Sequence, residues 1–256
     1  MIKDISVVIQ GPLDDRTYEA IDQYQNFGEV IVSTWDTDHP HLLNPATGEY
    51  KFVRSSYPDN LESYHNEGSR YFMAQTTLAG VEVATKKYTM KTRSDELYPD
   101  LEAMLKNLET YPDRVHTTDN GFWKDIKGAF SNHLFIDKTD NMLKAMRMHV
   151  DYSSGKMPDL ARRINSKLIC AEQTFGYFLM AARGYDILES DFKPVYRENI
   201  WITRCVELKG HLHSGQTSKP NGGFKRSTEP YPLGRKDESS GKANINRLIQ
   251  HIEDIK

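Results

Sequence analysis

The sequence predicts an α/β fold: a mainly parallel central sheet flanked by helices, in a single domain. Three observations carry this. Short β-rich runs alternate with helical patterns over the first hundred residues, the order that builds parallel strands joined by crossover helices. Each run is closed by a breaker pair or a polar loop. The chain has 256 residues, 38% hydrophobic and 11% aromatic, enough for one sizeable core.

Taken in order, "ISVVIQ" (Ile5–Gln10) is a strand closed by Gly11-Pro12. A polar helix follows over "DDRTYEAIDQYQNF". "EVIVSTW" (Glu29–Trp35) is a second buried strand that ends at Asp36 and a polar loop. "YKFVRSS" is a third strand, residues 66–84 read as a helix, and "KYTMKT" is the fourth strand. Beyond it, "YPDLEAMLKNLETY" sets Leu101, Met104, Leu105 and Leu108 at helical spacing behind Pro99. "FSNHLFIDKTDNMLKAMRM" reads as a strand running into a helix. "SKLICAEQTFGYFLMAARG" is a helix stopped by Gly184, with a further strand expected at "YDILES". Residues 210–241 turn rich in Gly, Pro, Ser and Lys and predict a long mobile loop. Ile245, Leu248, Ile249 and Ile252 then predict a terminal helix. On this reading residues 1–98 form one half and 99–256 the other.

Composition removes several classes of function. With 33 basic and 36 acidic residues the formal charge is −3, so no global field draws nucleic acid. No apolar run reaches membrane-spanning length, and "MIKDISVV" lacks the apolar body of a signal peptide. Cys170 and Cys205 show no CxxC spacing and read as reduced thiols of a cytoplasmic protein.

In an open α/β sheet, ligands bind beyond the carboxyl ends of the strands. Here those ends are Gln10-Gly11-Pro12, Ser33-Thr34-Trp35-Asp36 and Thr92-Arg93-Ser94-Asp95-Glu96. Both the glycine-rich dinucleotide fingerprint and the GxxxxGK[ST] phosphate loop are absent from the sequence. The charges of Asp95 and Glu96 need a partner, which is a metal ion, the basic neighbours Lys91 and Arg93, or water. Acids also suit the first turn of a helix, which is the structural reading of the same pair. Arg93 either pairs Asp95 or holds a phosphate oxygen bidentately.

The segments "ISVVIQGPLDD", "VIVSTWD", Asn66 through Arg70 to "TTLAG", and "MKTRSDE" together resemble nucleotide-sugar-dependent glycosyltransferases of the GT-A fold, a Rossmann-like architecture. More narrowly they are similar to the WavE lipopolysaccharide-synthesis family. The resemblance implies a nucleotide-binding first half, with "RSDE" in the place of a metal-binding DxD motif. This chain departs from that motif, because Ser94 stands where the first acid would be. It implies a nucleotide-sugar donor contacted by Gln10, Gly11, Pro12, Thr34, Asp36, Arg70, Arg93 and Ser94. It also implies Mn²⁺ or Mg²⁺ held by Asp95, Glu96 and a late histidine, His213. His211 and His213 would face one way on a strand.

Further along, "CAEQTFGYFLMAARGYDI" resembles the segment of inverting GT-A enzymes in which an acid at a helix start deprotonates the acceptor. Glu172 is the residue of the Glu172-Gln173 pair able to ionise, and so the candidate base. A helix-start acid with no catalytic role is the alternative. Asn132, His133 and Trp123 are candidate acceptor contacts, and Lys219, Lys225 and Arg226 candidate phosphate contacts in the late loop. The expectation is an inverting, metal-dependent glycosyltransferase acting on a glycan or glycolipid acceptor, with peripheral membrane contact open. The alternative is a catalytically silent carbohydrate- or nucleotide-binding domain of the same fold.

Overall fold

The structure, a computed structural model, describes residues 4–13, 16–57, 68–119, 130–165, 171–186, 188, 192–205 and 207–209, and four two-residue strands further on. Its centre is β1 (Ile5–Gln10), buried along its whole length. β1 pairs in parallel with β2 (Glu29–Trp35) on one side and with β4 (Tyr88–Arg93) on the other. β3 (Lys51–Ser55) extends the β2 side. On the β4 side come β7 (Phe135–Lys138), β6 (Val115–Thr118) and β8 (Ile200–Thr203), giving seven strands in the order β3-β2-β1-β4-β7-β6-β8. Within this sheet only β7 runs against the rest. This is the mainly parallel α/β sheet flanked by helices that the sequence predicts.

The pleat sends alternate residues to opposite faces, and each face has its own core. Val8, Ile31 and Phe135 pack with α2 (Gly68–Glu82), α4 (Thr139–Ser153) and α6 (Ala171–Ala182). Val7, Ile9, Val32, Met90 and Ile136 pack with α1 (Thr17–Tyr24) and α3 (Glu102–Thr110). The α3 residues Met104, Leu105 and Leu108 are buried, as their helical spacing predicts. Gly80 brings α2 close to the sheet: a Cβ there would lie 2.4 Å from Val8 Cγ1 and 3.1 Å from Ser33 Cβ.

Two expectations change, and a third lies partly outside the described residues. Of "YDILES", residues 187, 189 and 190 lie outside the described residues; Leu188 lies in a turn, and its N–H donates to Asp186 Oδ1 at 3.0 Å. The edge position goes to β8, entered from α7 (Phe192–Asn199). β6 and α5 (Pro158–Asn165) are further elements that the sequence patterns do not predict. Within 210–241, β9 (His211–Leu212), β10 (Thr217–Ser218), β11 (Phe224–Lys225) and β12 (Tyr231–Pro232) pair as strands where a loop is expected. β10 pairs with β11, and β9 joins β12 to β5 (Glu96–Leu97). The terminal helix expected at 243–256 lies outside the described residues.

Candidate functional site

β1 is the switch point of the sheet, since β2-β3 leave it in one direction and β4-β7-β6-β8 in the other. In such folds ligands bind in the crevice beyond the carboxyl ends of the strands at this point, here β1 and β4. The backbone there is tightly tied. Ser94 N–H donates to Gln10 O at 2.9 Å and Ser94 Oγ to Pro12 O at 2.6 Å. Gly11, at φ +128°, passes so close that a Cβ would lie 2.8 Å from Ser94 Oγ. A side chain at this position is excluded both by φ and by space.

The acids behind β4 have protein partners. Arg93 holds both oxygens of Asp95, Nε to Oδ1 at 2.8 Å and Nη2 to Oδ2 at 2.7 Å. Glu96 is fully buried. Its Oε2 accepts from Tyr98 Oη at 2.9 Å; its Oε1 faces His133 Nδ1 and lies 3.3 Å from Arg93 Nε. Burial alone would raise the Glu96 pKa, but His133, Arg93 and Lys91 outweigh it and hold it at about 2. Lys91, also fully buried, donates Nζ to Asn132 O. Burial, helped by Arg93, pushes the Lys91 ammonium down to about 7. Because β7 is antiparallel to β4, the residues just before it, Asn132 and His133, return to this same rim. Gln10 Oε1 and Asn132 Oδ1 are buried here with no partner among the described residues.

At the end of β2 the expected donor contacts separate. Asp36 is exposed, with Oδ1 accepting from Tyr57 N–H at 3.1 Å. Thr34 is fully buried, and its hydroxyl donates to Asp38, which also accepts from Leu13 N–H at 3.2 Å. Asp38 is therefore a site residue that sequence reasoning missed. So is Tyr57, which stacks on Phe72 at 5.1 Å and meets Trp35 edge-on at 5.3 Å. An aromatic residue just beyond a strand end was the available signal. Arg70 lies in the first turn of α2.

Glu172 stands half-buried in the first turn of α6. α6 runs antiparallel to α4: Lys144 Nζ reaches Ala182 O at 3.1 Å, while His149, further along α4, stacks on Phe178 at 5.0 Å. Since α4 leaves the far end of β7, this places the start of α6, with Glu172 and the buried Gln173, at the ligand end of the sheet. Asp137 is at the opposite end, buried and paired to Arg183 at 2.6 Å. Trp123, His213, Lys219 and Arg226 lie outside the described residues, and of His211 and Lys225 only the backbone pairing is described.

The acidic pair is held by the protein's own side chains. Both oxygens of Asp95 carry Arg93, and both oxygens of Glu96 are taken inside the core. Among the described residues no group of three or more His, Cys, Asp and Glu is placed to hold a metal. The partner of these charges is the protein's own cations.

Fold and rim together define an α/β protein with a polar crevice at the switch point of a mainly parallel sheet. Among solved structures, the chain is similar to the apo-form glycosyltransferase GlyE of Streptococcus pneumoniae TIGR4. The identity is 13% and the TM-score 0.45, covering 78% of this chain and 45% of that one. A second GlyE structure gives 11%, 0.41, 79% and 45%, and HddC from Yersinia pseudotuberculosis gives 8%, 0.37, 54% and 78%. The chain thus spans under half the length of the GlyE chains. No family model matches the chain, and no curated protein matches it in sequence. Among the described residues no helix is long and apolar enough to cross a membrane.

Proposed function

We propose that the protein is a glycosyltransferase, moving a sugar from a nucleoside diphosphate to a hydroxyl of a glycan or glycolipid acceptor with inversion. The observation that carries this reading is the pair of buried, unpartnered amide oxygens, Gln10 Oε1 and Asn132 Oδ1, at the switch-point rim. A buried acceptor left unpaired costs about 1–3 kcal/mol, and a hydroxyl-rich ligand supplies the missing donors. The resemblance of "ISVVIQGPLDD", "VIVSTWD" and "MKTRSDE" to nucleotide-sugar enzymes supports the same reading, because all three segments end at this crevice. On it, Asp36 accepts from a ribose hydroxyl and the exposed face of Tyr57 packs against the base.

The chemistry is a single displacement. The acceptor oxygen bonds to the anomeric carbon, the bond from that carbon to the diphosphate oxygen breaks, and the nucleoside diphosphate leaves with the electron pair. Gln10, Asn132 and the Gly11-Pro12 backbone orient the sugar; they gain rate by holding reacting atoms in line. No step is routed through a metal. A thermal-shift panel of UDP- and GDP-sugars, followed by assay of nucleoside diphosphate release, tests the reading. Binding without turnover under any condition would favour the silent binding domain instead.

A further inference from the structure

We propose that His133 takes the acceptor's proton, with Glu96 as the residue that positions it; this rests on the glycosyltransferase reading above. The two are 37 residues apart in sequence and meet through His133 Nδ1 and Glu96 Oε1. Glu96 is fully buried and His133 is 19% exposed, so the pair runs from the core to the rim. Glu96 cannot turn away: Tyr98 Oη at 2.9 Å and Arg93 Nε at 3.3 Å fix its two oxygens, and Arg93 is itself anchored on Asp95. Among the described residues, Glu96 faces the ring directly, and Lys91, Arg93 and Tyr98 surround Glu96, with Asp95 on Arg93.

An ionised carboxylate only accepts hydrogen bonds, so the proton between the two residues sits on Nδ1. In the neutral imidazole the lone pair is then on Nε2, which makes no hydrogen bond to any described residue. A carboxylate that fixes the tautomer and steadies the imidazolium formed on proton transfer is how an oriented histidine base is built. Glu172 has no such support: among the described residues no hydrogen bond or ion pair holds its carboxylate. In the transfer step the acceptor O–H proton goes to Nε2. The oxygen pair forms the new bond to the anomeric carbon, the old carbon–oxygen bond breaks, and its pair leaves on the nucleoside diphosphate. The imidazolium returns its proton to water.

The experiment measures, in one series, binding of UDP and GDP by calorimetry and release of UDP or GDP from UDP-glucose or GDP-mannose. His133→Gln should keep the wild-type affinity and lose release by roughly 10²–10⁴, the span of a general base. Glu96→Gln should keep the nucleotide affinity, lower release and mix the two His133 tautomers in the imidazole nitrogen shifts, a spectroscopic change a merely structural residue would not cause. Nitrogen chemical shifts of the wild-type imidazole should show Nδ1 protonated and Nε2 bare, a readout independent of any variant's folding. Wild-type release by His133→Gln, or loss in Glu172→Gln alone, overturns the base assignment while the transferase reading stands. The opposite tautomer also overturns it. Wild-type protein that binds neither nucleotide removes the transferase reading and the base with it.

Discussion

Arg93 spans both carboxylate oxygens of Asp95, at 2.8 and 2.7 Å, and through Nε also lies 3.3 Å from the buried Glu96. Two residues before the acids, the same strand therefore supplies the cation that the motif's place in the chain would assign to a metal. Paired geometry of this kind is among the stronger ion pairs, because two parallel hydrogen bonds add to the charge. It also leaves the rim with less net negative charge to repel a diphosphate.

The first expected outcome follows from that contact. Calorimetry with UDP or GDP should give affinities that agree within about twofold, some 0.4 kcal/mol, in Mn²⁺ and in EDTA. A tenfold or larger loss in chelator would mean that Arg93 swings off Asp95 and frees it as a ligand. Asp95→Asn should then lose the metal response, and Arg93→Gln should sharpen it.

Gly80 gives a test of the packing beneath the crevice. A Cβ at this position meets Val8 Cγ1 at 2.4 Å, on the central strand, so α2 or β1 has to move. Gly80→Ala should destabilise by about 1–3 kcal/mol despite the better helix propensity of alanine. Urea denaturation measures it. A neutral or stabilising change would show that α2 slides on the sheet at no cost.

Much of this fold is legible in the sequence because its central strands are long and end in informative residues. "ISVVIQ", "EVIVSTW" and "KYTMKT" each combine a buried run with a polar terminus, and each becomes a strand whose end lines the crevice. The outer strands are another matter. "VHTT" and "IWIT" are four residues long, too short for a period of two to stand out, and pairing defines them: β6 with β7 and β8, and β8 with β6. The site divides in the same way. Local spacing located Asp95 and Glu96, whereas the contact of Glu96 with His133 depends on β7 returning antiparallel to β4. No local pattern carries that.

His116 should make the protein sensitive to mild acid. It is fully buried in β6, donating Nε2–H to Tyr111 O at 2.9 Å, with Nδ1 unpartnered among the described residues. Burial, against the help of that hydrogen bond and with Arg114 and Arg183 adding to it, lowers its pKa from 6.5 to about 4. Between those values the unfolded chain binds a proton that the folded chain refuses. Stability therefore falls as pH drops from 6.5 to 4, by about 3 kcal/mol in all. His116→Gln keeps a donor for Tyr111 O and has no proton to bind. Its denaturation midpoint should fall less than that of the wild type between pH 7 and 4. Parallel curves would place the acid sensitivity elsewhere.

Lys91 should act in the same direction in the neutral-to-alkaline range. It sits fully buried in β4 with Nζ donating to Asn132 O. Burial lowers its pKa from 10.5 to about 7; Arg93 lowers it further, and Glu96 and Asp95 partly restore it. The unfolded chain holds the proton up to pH 10.5, whereas the folded chain gives it up near 7. Across that window the unfolded state binds more protons, so stability rises with pH, by at most about 1.4 kcal/mol per unit. Lys91→Met removes this gain and leaves Asn132 O without its donor, a cost of about 1–3 kcal/mol. The variant should thus be less stable than the wild type at pH 9 by about 2 kcal/mol more than it is at pH 7. Denaturation curves at the two pH values measure the difference directly. An equal gap at both would mean that Lys91 keeps its proton in the core, held there by Glu96 and Asp95, and that the charge at this rim is larger than burial alone allows.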